Sequence, residues 1–386
     1  MRYATLFLKE TQMKRKSIKK TSMLIISILL LLCSCSATRE YDDKENEPIE
    51  ETDVIENEDE TENTEEVTDK ESIEEIEKKF SYKIRIGDEN NIIYNYYQNA
   101  GYNYGPSIIK NEDGSYDAWF ARLGNSGSQW DWICYRHSDD GLNWGDPVTV
   151  LKPTPGSRDS CSVCDPGVIY FNGYYYMAYT STMDYQLNGF NNSAFVARST
   201  SPTGPFEKWN GEGWGGDPQP FIEYTDDPKG WGIGEVSFVI KDDDLFIYYT
   251  YFDIYSGVVE LMKADLVDDW PATVRYKGTV CSRSTHDSID VAYSEESDTF
   301  FAVAIENTMS DGARLVLLES KDGKEFKQAD YEIDDIERYA HNSGIAKTKE
   351  GHLESNDDIL IGYAFGPNWG RWSTIMQKMR IETNVE

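Results

Sequence analysis

Polar side chains that could carry out acid–base chemistry recur at one place in this sequence, the start of a short apolar segment. They are Tyr104, Asp165, Glu235, Asp287 with Asp290, and His341 with Asn342. A carboxylic acid or an imidazole can deliver or remove a proton near neutral pH when its surroundings adjust its pKa. Any one Asp before a Pro, such as Asp165, also fits a simple turn. Carboxylates at three of these places and a His at a fourth, if they gather at one point, indicate a functional cluster, because the repulsion between like charges makes such a gathering unfavourable for structure alone.

The apolar segments that follow these residues belong to a repeat with a period of roughly 55–70 residues, somewhat longer than common propeller repeats. The clearest copy runs over 165–170, turns at Asn172-Gly173 and continues over 174–180. An Asn-Gly pair between two β-rich runs is the strongest short hairpin signal. The other copies begin near residues 105, 235, 289 and 343. Each copy therefore predicts a small antiparallel sheet.

Such sheets cannot bury both faces alone, so they must stack side by side around an axis. We predict an all-β domain over 81–386, a five-bladed β-propeller, with the innermost strands starting at a central funnel. Closure of the ring should bring Tyr82–Ile86 beside Ser373–Ile381, which hides an exposed strand edge. A pair of β-sandwiches also contains many short strands, but it would separate the ionisable residues.

One repeat carries a more specific resemblance. Asp165-Pro166-Gly167-Val168, Gly173-Tyr174-Tyr175-Tyr176 and Ser201-Pro202-Thr203-Gly204-Pro205-Phe206 resemble a blade of the five-bladed propeller glycoside hydrolases. These are families 43 and 62, which cleave arabinan and xylan side chains, families 32 and 68, which act on fructosides, and family 117. The resemblance extends from about Tyr104 to Ile381. It implies a carbohydrate substrate and a site built from two Asp and a Glu that acts as general acid.

The resemblance implies roles for individual residues. Glu235 is expected to be the general acid, and Asp165 the base or the group that raises and orients that acid. The first blade reads Tyr104-Gly105-Pro106-Ser107, without the family's carboxylate. Asp131, Asp159 or Asp290 could take that role, and we favour Asp290, with inversion through an activated water.

Substrate contacts are expected from His341, Asn342, Tyr104 and Asp287. The resemblance allows a bound Ca or Na ion near His341, although no cofactor and no protein metal site are expected to be required. The alternative is a non-catalytic glycan-binding protein that kept the funnel and lost the first-blade acid.

Residues 1–34 predict a bacterial lipoprotein signal peptide. A basic segment with Lys14-Arg15-Lys16 precedes the apolar run Met23–Leu32, which is short for a membrane span. Leu32-Cys33-Ser34-Cys35 resembles the lipoprotein processing site, which implies that Cys35 receives the lipid. The predicted location is the extracellular face of the bacterial cell membrane, with the lipid as the membrane contact. A plain signal peptide with chance cysteines is the alternative.

Residues 35–80 predict a disordered acidic tether. Between Arg39 and Phe80 the sequence has 20 Asp or Glu against 5 Lys or Arg, with few aromatic residues. Such a segment cannot bury enough apolar surface to offset its ordering entropy. The whole chain carries a net charge of −32 at pH 7, which disfavours nucleic acids and anionic lipids as partners. Cys161-x-x-Cys164 has no second pair or His cluster, so structural cysteines are favoured over a zinc site.

Overall fold

The computed structural model describes residues 81–99, 101–124, 129–183, 189–282, 287–333 and 336–384. The predicted signal peptide and tether, including Cys35, lie outside these residues. By its internal contacts the chain divides into Met1–Glu74 and Glu75–Glu386. In the described part a 3-10 helix spans Trp270–Thr273, and we find no helix there with the length and apolar character needed to span a membrane.

The strands of the described residues form four hydrogen-bonded sheets. The largest, with nine strands, consists of two groups joined by a short parallel pairing of Ala346 with Ile108 and Lys347 with Ile109, so the strands make five mainly antiparallel groups in all. The strand β1 (Ser81–Tyr94) belongs to the last of them. The first group contains β2 (Asn103–Lys110), β3 (Tyr116–Leu123), β4 (Asp131–Ser138) and β5 (Val148–Leu151). The second contains β6 (Cys164–Phe171), β7 (Tyr174–Ser181), β8 (Ser193–Ser199) and β9 (Glu207–Lys208). The third contains β10 (Gly232–Lys241), β11 (Asp244–Phe252), β12 (Gly257–Asp265) and β13 (Arg275–Ser282).

The last two groups are joined to the others by short additional pairings. The fourth contains β14 (Asp287–Ser294), β15 (Thr299–Glu306), β16 (Arg314–Ser320) and β17 (Lys327–Gln328). Next along the chain come β18 (Asp330–Ile333), β19 (Ala340–Lys347), β20 (His352–Leu353), β21 (Ile359–Asn368) and β22 (Arg371–Asn384). The fifth group has the order β19-β21-β22-β1-β18, and β20 pairs with β14.

The five groups are arranged as a ring. The innermost strands β2, β6, β10, β14 and β19 each contact the next, and β19 also contacts β2. Five buried apolar clusters lie in the described part, one between each pair of neighbouring groups. Burial of both sheet faces against neighbours explains why a single repeat could not fold alone. The predicted all-β propeller fold is confirmed, and the five groups correspond to the five sequence repeats.

The two ends of the domain meet in the fifth group, as the sequence predicts. β1 pairs antiparallel with β22, with Tyr82 opposite Thr383 and Ile84 opposite Ile381. The outer edge of β1 is in turn covered by the parallel strand β18. Pairing of both edges protects this segment from pairing with another chain.

Local turn chemistry and close packing explain the shape of each group. Asn172 and Gly173 both have positive φ, 49° and 83°, and connect β6 to β7 directly. Such a two-residue turn matches the twist of the strands. Near the axis the innermost strands touch backbone to backbone. A Cβ atom on Gly344 would lie 1.9 Å from the carbonyl oxygen of Pro106.

Candidate active site

Each innermost strand has a residue with positive φ at the point where its pairing with the next strand shifts. These residues are Gly105 (φ 61°), Asp165 (φ 48°), Glu235 (φ 41°), Ser288 (φ 52°) and Asn342 (φ 47°). At each of them the pairing with the next strand shifts in register. A bulge of this kind redirects a side chain away from the sheet. A left-handed conformation costs a non-glycine residue roughly 1–2 kcal/mol, and such strain concentrates at functional sites.

All five of these residues line one axial cavity, together with Asp290 and Lys347. The cavity has a volume of about 30 Å³, which is room for about two waters. The structure therefore brings the predicted Asp165, Glu235, Asp290 and Asn342 to one cavity, whereas the predicted His341 and Tyr104 are not among its lining residues. Their catalytic and binding roles remain predictions.

The equivalent positions differ in part from those that the sequence indicated. In the fourth group the residue at the bulge is Ser288, which lies between the predicted Asp287 and Asp290. Asp287 lies in β14, opposite Ile305, and its side chain is outside the described part. Ser288 was missed because only ionisable residues were sought. The signal was present, since Ser288 stands directly before an apolar run, as Glu235 does.

The Glu235 carboxylate is connected to the fifth group through Asn342. The Asn342 side-chain amide donates a long hydrogen bond of 3.4 Å to Oε1 of Glu235 and one of 2.9 Å to the Ser288 hydroxyl. Nδ1 of His341 lies 2.5 Å from Oδ1 of Asn342. His341 is 2% exposed. This chain of contacts orients the Asn342 amide, and through it the Glu235 side chain.

The Asp165 carboxylate lies in a polar cluster between the first and second groups. The Thr180 hydroxyl donates a hydrogen bond of 2.7 Å to Oδ2 of Asp165. The Cys164 thiol lies 3.1 Å from the same hydroxyl. Burial raises the pKa of Cys164 well above its usual value, and the charges of Asp165 and Asp131 raise it further. The thiol therefore stays protonated at neutral pH.

Asp131, at the start of β4, is a second carboxylate beside Asp165. It is 7% exposed, and the Tyr102 hydroxyl donates to its Oδ1 at 2.5 Å. The pKa of Asp131 is raised to about 7. Burial is the largest cause of the rise and the Asp165 charge adds to it, while the hydrogen bond from Tyr102 opposes it. Asp131 is thus partly protonated at neutral pH. Asp131 belongs to the third strand of its group, and the contact with Tyr102 holds its carboxyl group beside Asp165.

Asp290 has a structural environment unlike that of Asp165 or Glu235. Its Oδ1 accepts hydrogen bonds from the Lys347 ammonium at 2.6 Å and the Ser237 hydroxyl at 2.7 Å, and its Oδ2 accepts one from the Ile345 N–H at 2.8 Å. The Lys347 and Asp290 side chains are 5% and 13% exposed. Asp290 therefore connects its own strand β14 to β19 through the buried ion pair with Lys347, and to β10 through the hydrogen bond from Ser237.

Asp159 lies apart from the axial cavity. It is fully buried and forms an ion pair with Lys208, and it accepts hydrogen bonds from the Ser157 hydroxyl at 2.7 Å and the Tyr179 hydroxyl at 3.0 Å. These contacts assign Asp159 a structural role within the second group and the loop before it.

A row of aromatic rings begins at Tyr104 and at His341, the chain neighbours of Gly105 and Asn342. Tyr104 and His341 lie against the Trp372 ring, with centroids 5.2 Å and 4.5 Å away. The Trp369 ring lies 5.1 Å from Trp372 and 5.8 Å from Trp231. Trp369 is 68% exposed. Aromatic rings at the mouth of a pocket suit stacking on flat, partly apolar ligands such as sugar rings.

The described residues contain no group of three or more His, Cys, Asp or Glu side chains arranged to hold a metal ion. The ring neighbours of His341 are aromatic, and its Nδ1 contacts an amide. Ca and Na ions prefer several oxygen ligands. Oδ1 of Asn342 lies beside His341, oxygen atoms of Glu235 and Ser288 contact the Asn342 amide, and the cation that the resemblance allows there stays a prediction. Among the described residues, the cysteines at 134, 161, 164 and 281 are not joined by disulfides.

Solved structures with a similar fold include several glycoside hydrolases. A family 117 glycoside hydrolase from the marine bacterium Zobellia galactanivorans is 16% identical, with a TM-score of 0.57 over 78% of this chain and 90% of that chain. A thermostable family 43 glycoside hydrolase is 14% identical, with a TM-score of 0.51 over 78% and 95%. The chain has the fold of the propeller glycoside hydrolases.

A third similar structure is an α-L-arabinofuranosidase from Podospora anserina, solved with cellotriose. It is 10% identical, with a TM-score of 0.51 over 78% of this chain and 96% of that chain. No protein-family model and no curated protein sequence matches the chain. The similarity therefore confirms the predicted resemblance at the level of the fold.

Proposed function

We propose that the chain is a glycoside hydrolase that cleaves neutral oligosaccharides or polysaccharide side chains at the axial cavity. The observation that carries this proposal is the convergence of Asp165 and Glu235, from neighbouring strand groups, on one water-sized cavity through equivalent strained bulges. Two carboxyl groups on either side of a scissile bond are the usual requirement for glycoside hydrolysis. The acidic charge of the chain disfavours sulfated or phosphorylated substrates.

In the proposed reaction Glu235 donates its proton to the glycosidic oxygen as the bond to the anomeric carbon breaks. Asp165 accepts a proton from a water in the cavity while the water oxygen bonds to that carbon. The configuration of the sugar is thereby inverted. Proton exchange with solvent then restores both carboxyl groups. Asn342 positions Glu235, and His341 positions Asn342.

Asp131 and Asp290 support this site without contacting the substrate. Partial protonation of Asp131 limits the negative charge next to Asp165, to which we assign the role of base. Asp290 is held by Lys347 and two other donors, and we assign it to positioning rather than to activation of water. Asp165, and not Asp290, is therefore the base in the proposed reaction.

The second candidate function is non-catalytic glycan binding. It is favoured by Gly105, which stands at the position where the other four innermost strands place a polar side chain. The same funnel and aromatic rings would then hold a saccharide without cleaving it. Activity measurements separate the two functions.

We also propose that the protein is anchored to the extracellular face of the bacterial cell membrane by lipid on Cys35. The support is the sequence alone: the basic segment, the apolar run and the processing site that ends at Cys35. An acidic tether of the length predicted would let the domain reach polysaccharides beyond the membrane surface.

The test is release of reducing sugar from arabinan, arabinoxylan, levan and agarose oligosaccharides by the wild type and by Glu235→Gln. Loss of a general acid should lower kcat by about 10²–10⁴-fold. Glu350→Gln, an exposed residue in the turn after β19, is the matched control and should retain full activity. Binding of these carbohydrates with no release by the wild type would replace the hydrolase with the glycan-binding function.

A further inference from the structure

A second, larger cavity lies beside the turn that joins β21 to β22. Its volume is about 480 Å³, within the range of about 300–1,000 Å³ typical of ligand sites. It shares no lining residue with the axial cavity. Gly366 and Pro367 of the β21–β22 hairpin line the second cavity, and Trp372 of the same hairpin contacts His341, the chain neighbour of Asn342.

Five of the eleven residues that line the second cavity are aromatic. Tyr97 stacks on Tyr96 with a centroid distance of 4.0 Å and is still 74% exposed. Tyr339 and Phe365 also line the cavity. Asn95 holds the turn that presents Tyr97, because its side-chain oxygen accepts a hydrogen bond of 2.9 Å from the Tyr97 N–H. A large ring kept exposed by an ordered turn is suited to stacking on a ligand.

Charged groups stand at the edge of these rings. Glu337 and Arg338 line the cavity and are exposed. Arg338 forms an ion pair of 3.2 Å with Asp311, and both side chains are largely in solvent. An exposed pair of this kind contributes little to the stability of the fold. Breaking it to bind a ligand through the guanidinium therefore costs little free energy. One donor group and one acceptor group beside an aromatic face match the hydroxyl edge and the apolar face of a sugar ring.

We propose that this cavity is a second saccharide-binding site, in which Tyr97 stacks on a sugar ring and Glu337 and Arg338 bind its hydroxyl groups. The ligand is a short neutral oligosaccharide, because the charge of the chain opposes polyanions. The choice of ligand class rests on the carbohydrate function proposed above. Binding at the second cavity does not depend on catalysis, so this site holds carbohydrate whether or not cleavage occurs at the axial cavity.

The test measures binding of xylotriose, cellotriose and soluble arabinoxylan to the full chain. Tyr97→Ala should raise the Kd of the probe that binds by about tenfold, the loss expected for one stacking contact. Tyr97→Phe keeps the ring and should bind within about twofold of the wild type. Tyr276→Ala, which removes an exposed ring from β13 in the third group, should leave the Kd unchanged. Amide exchange should show protection by the ligand at residues 95–99 and 336–339.

The outcomes separate this site from the proposed hydrolase. Binding that depends on Tyr97 and persists in Glu235→Gln supports the second site. If the wild type binds through Tyr97 but releases no sugar, the hydrolase fails and the second site stands. Wild-type affinity in Tyr97→Ala, protection confined to the axial cavity, or no binding of any of the three probes would overturn the second site.

Discussion

The Tyr102 hydroxyl lies 2.5 Å from Oδ1 of Asp131, so a residue just before β2 holds a carboxyl group from the start of β4 beside Asp165. The pair is buried, and the Asp165 charge acts on Asp131. A phenol that donates to a carboxylate stabilises its ionised form. Burial outweighs this effect, which leaves Asp131 with a pKa of about 7.

This pKa makes the stability of the domain depend on pH. In the unfolded chain Asp131 has a pKa of about 4, and in the folded protein it is raised to about 7. The folded state therefore binds the proton more tightly, and the contribution of Asp131 to the free energy of unfolding falls as the pH rises from about 4 to about 7. Asp131→Asn should remove this loss and flatten the stability profile in that window.

The change is measured by chemical denaturation between pH 4 and pH 8. At pH 8 we expect Asp131→Asn to be more stable than the wild type, by an amount on the order of 1–4 kcal/mol. Asp146→Asn, an exposed aspartate on the same strand group, should reproduce the wild-type profile. Equal pH dependence in wild type and Asp131→Asn would show that Asp131 titrates near its ordinary value.

The buried Lys347–Asp290 pair should be needed for folding rather than for chemistry. Lys347→Met leaves the Asp290 carboxylate buried without its cation, and we expect a loss of about 3–5 kcal/mol. Adding Asp290→Asn to that variant should restore part of the loss, because the uncompensated charge is then gone. A double-mutant cycle by denaturation measures the coupling, and additive losses would contradict it.

A carboxylate introduced at Gly105 tests the role of Asp165. The left-handed backbone of Gly105 resembles that of Asp165 and Asn342, and a Cβ atom there would lie 3.6 Å from Oδ1 of Asp165. Gly105→Asp should fold, and its charge should raise the pKa of Asp165. The acidic limb of the pH profile of kcat/KM should therefore shift to higher pH, while the neutral Gly105→Asn should not shift it.

Two other results of this experiment are informative. An unchanged acidic limb would remove Asp165 from the role of base. A rise in kcat/KM of tenfold or more in Gly105→Asp alone would show that the wild type lacks a working base, which favours the glycan-binding function.

Lipid attachment is tested on the sequence outside the described residues. Palmitate label on the expressed protein should depend on Cys35 and be lost in Cys35→Ala. Cys33→Ala changes the neighbouring cysteine and should keep the label. Label retained in Cys35→Ala would remove the anchor and the predicted extracellular location.

Features that depend on neighbouring residues could be predicted from the sequence. The Asn172-Gly173 turn determines its own hairpin because few residue pairs accept positive φ at both positions. The repeat of such hairpins predicted the all-β ring, and closure of that ring predicted the pairing of Tyr82–Ile86 with Ser373–Ile381. These signals are local, or they repeat often enough that one weak copy is supported by the others.

Which side chains meet at the axis was decided by the tertiary structure. A bulge interrupts the alternation of side chains along each innermost strand. As a result Ser288, and not Asp287 or Asp290, occupies the position in the fourth group that Asp165 and Glu235 occupy in theirs. Asp131 reaches Asp165 from an outer strand, and Lys347 reaches Asp290 from the next group. Contacts between strand groups arise from packing and ring closure, and the linear order of the residues carries no local signal of them.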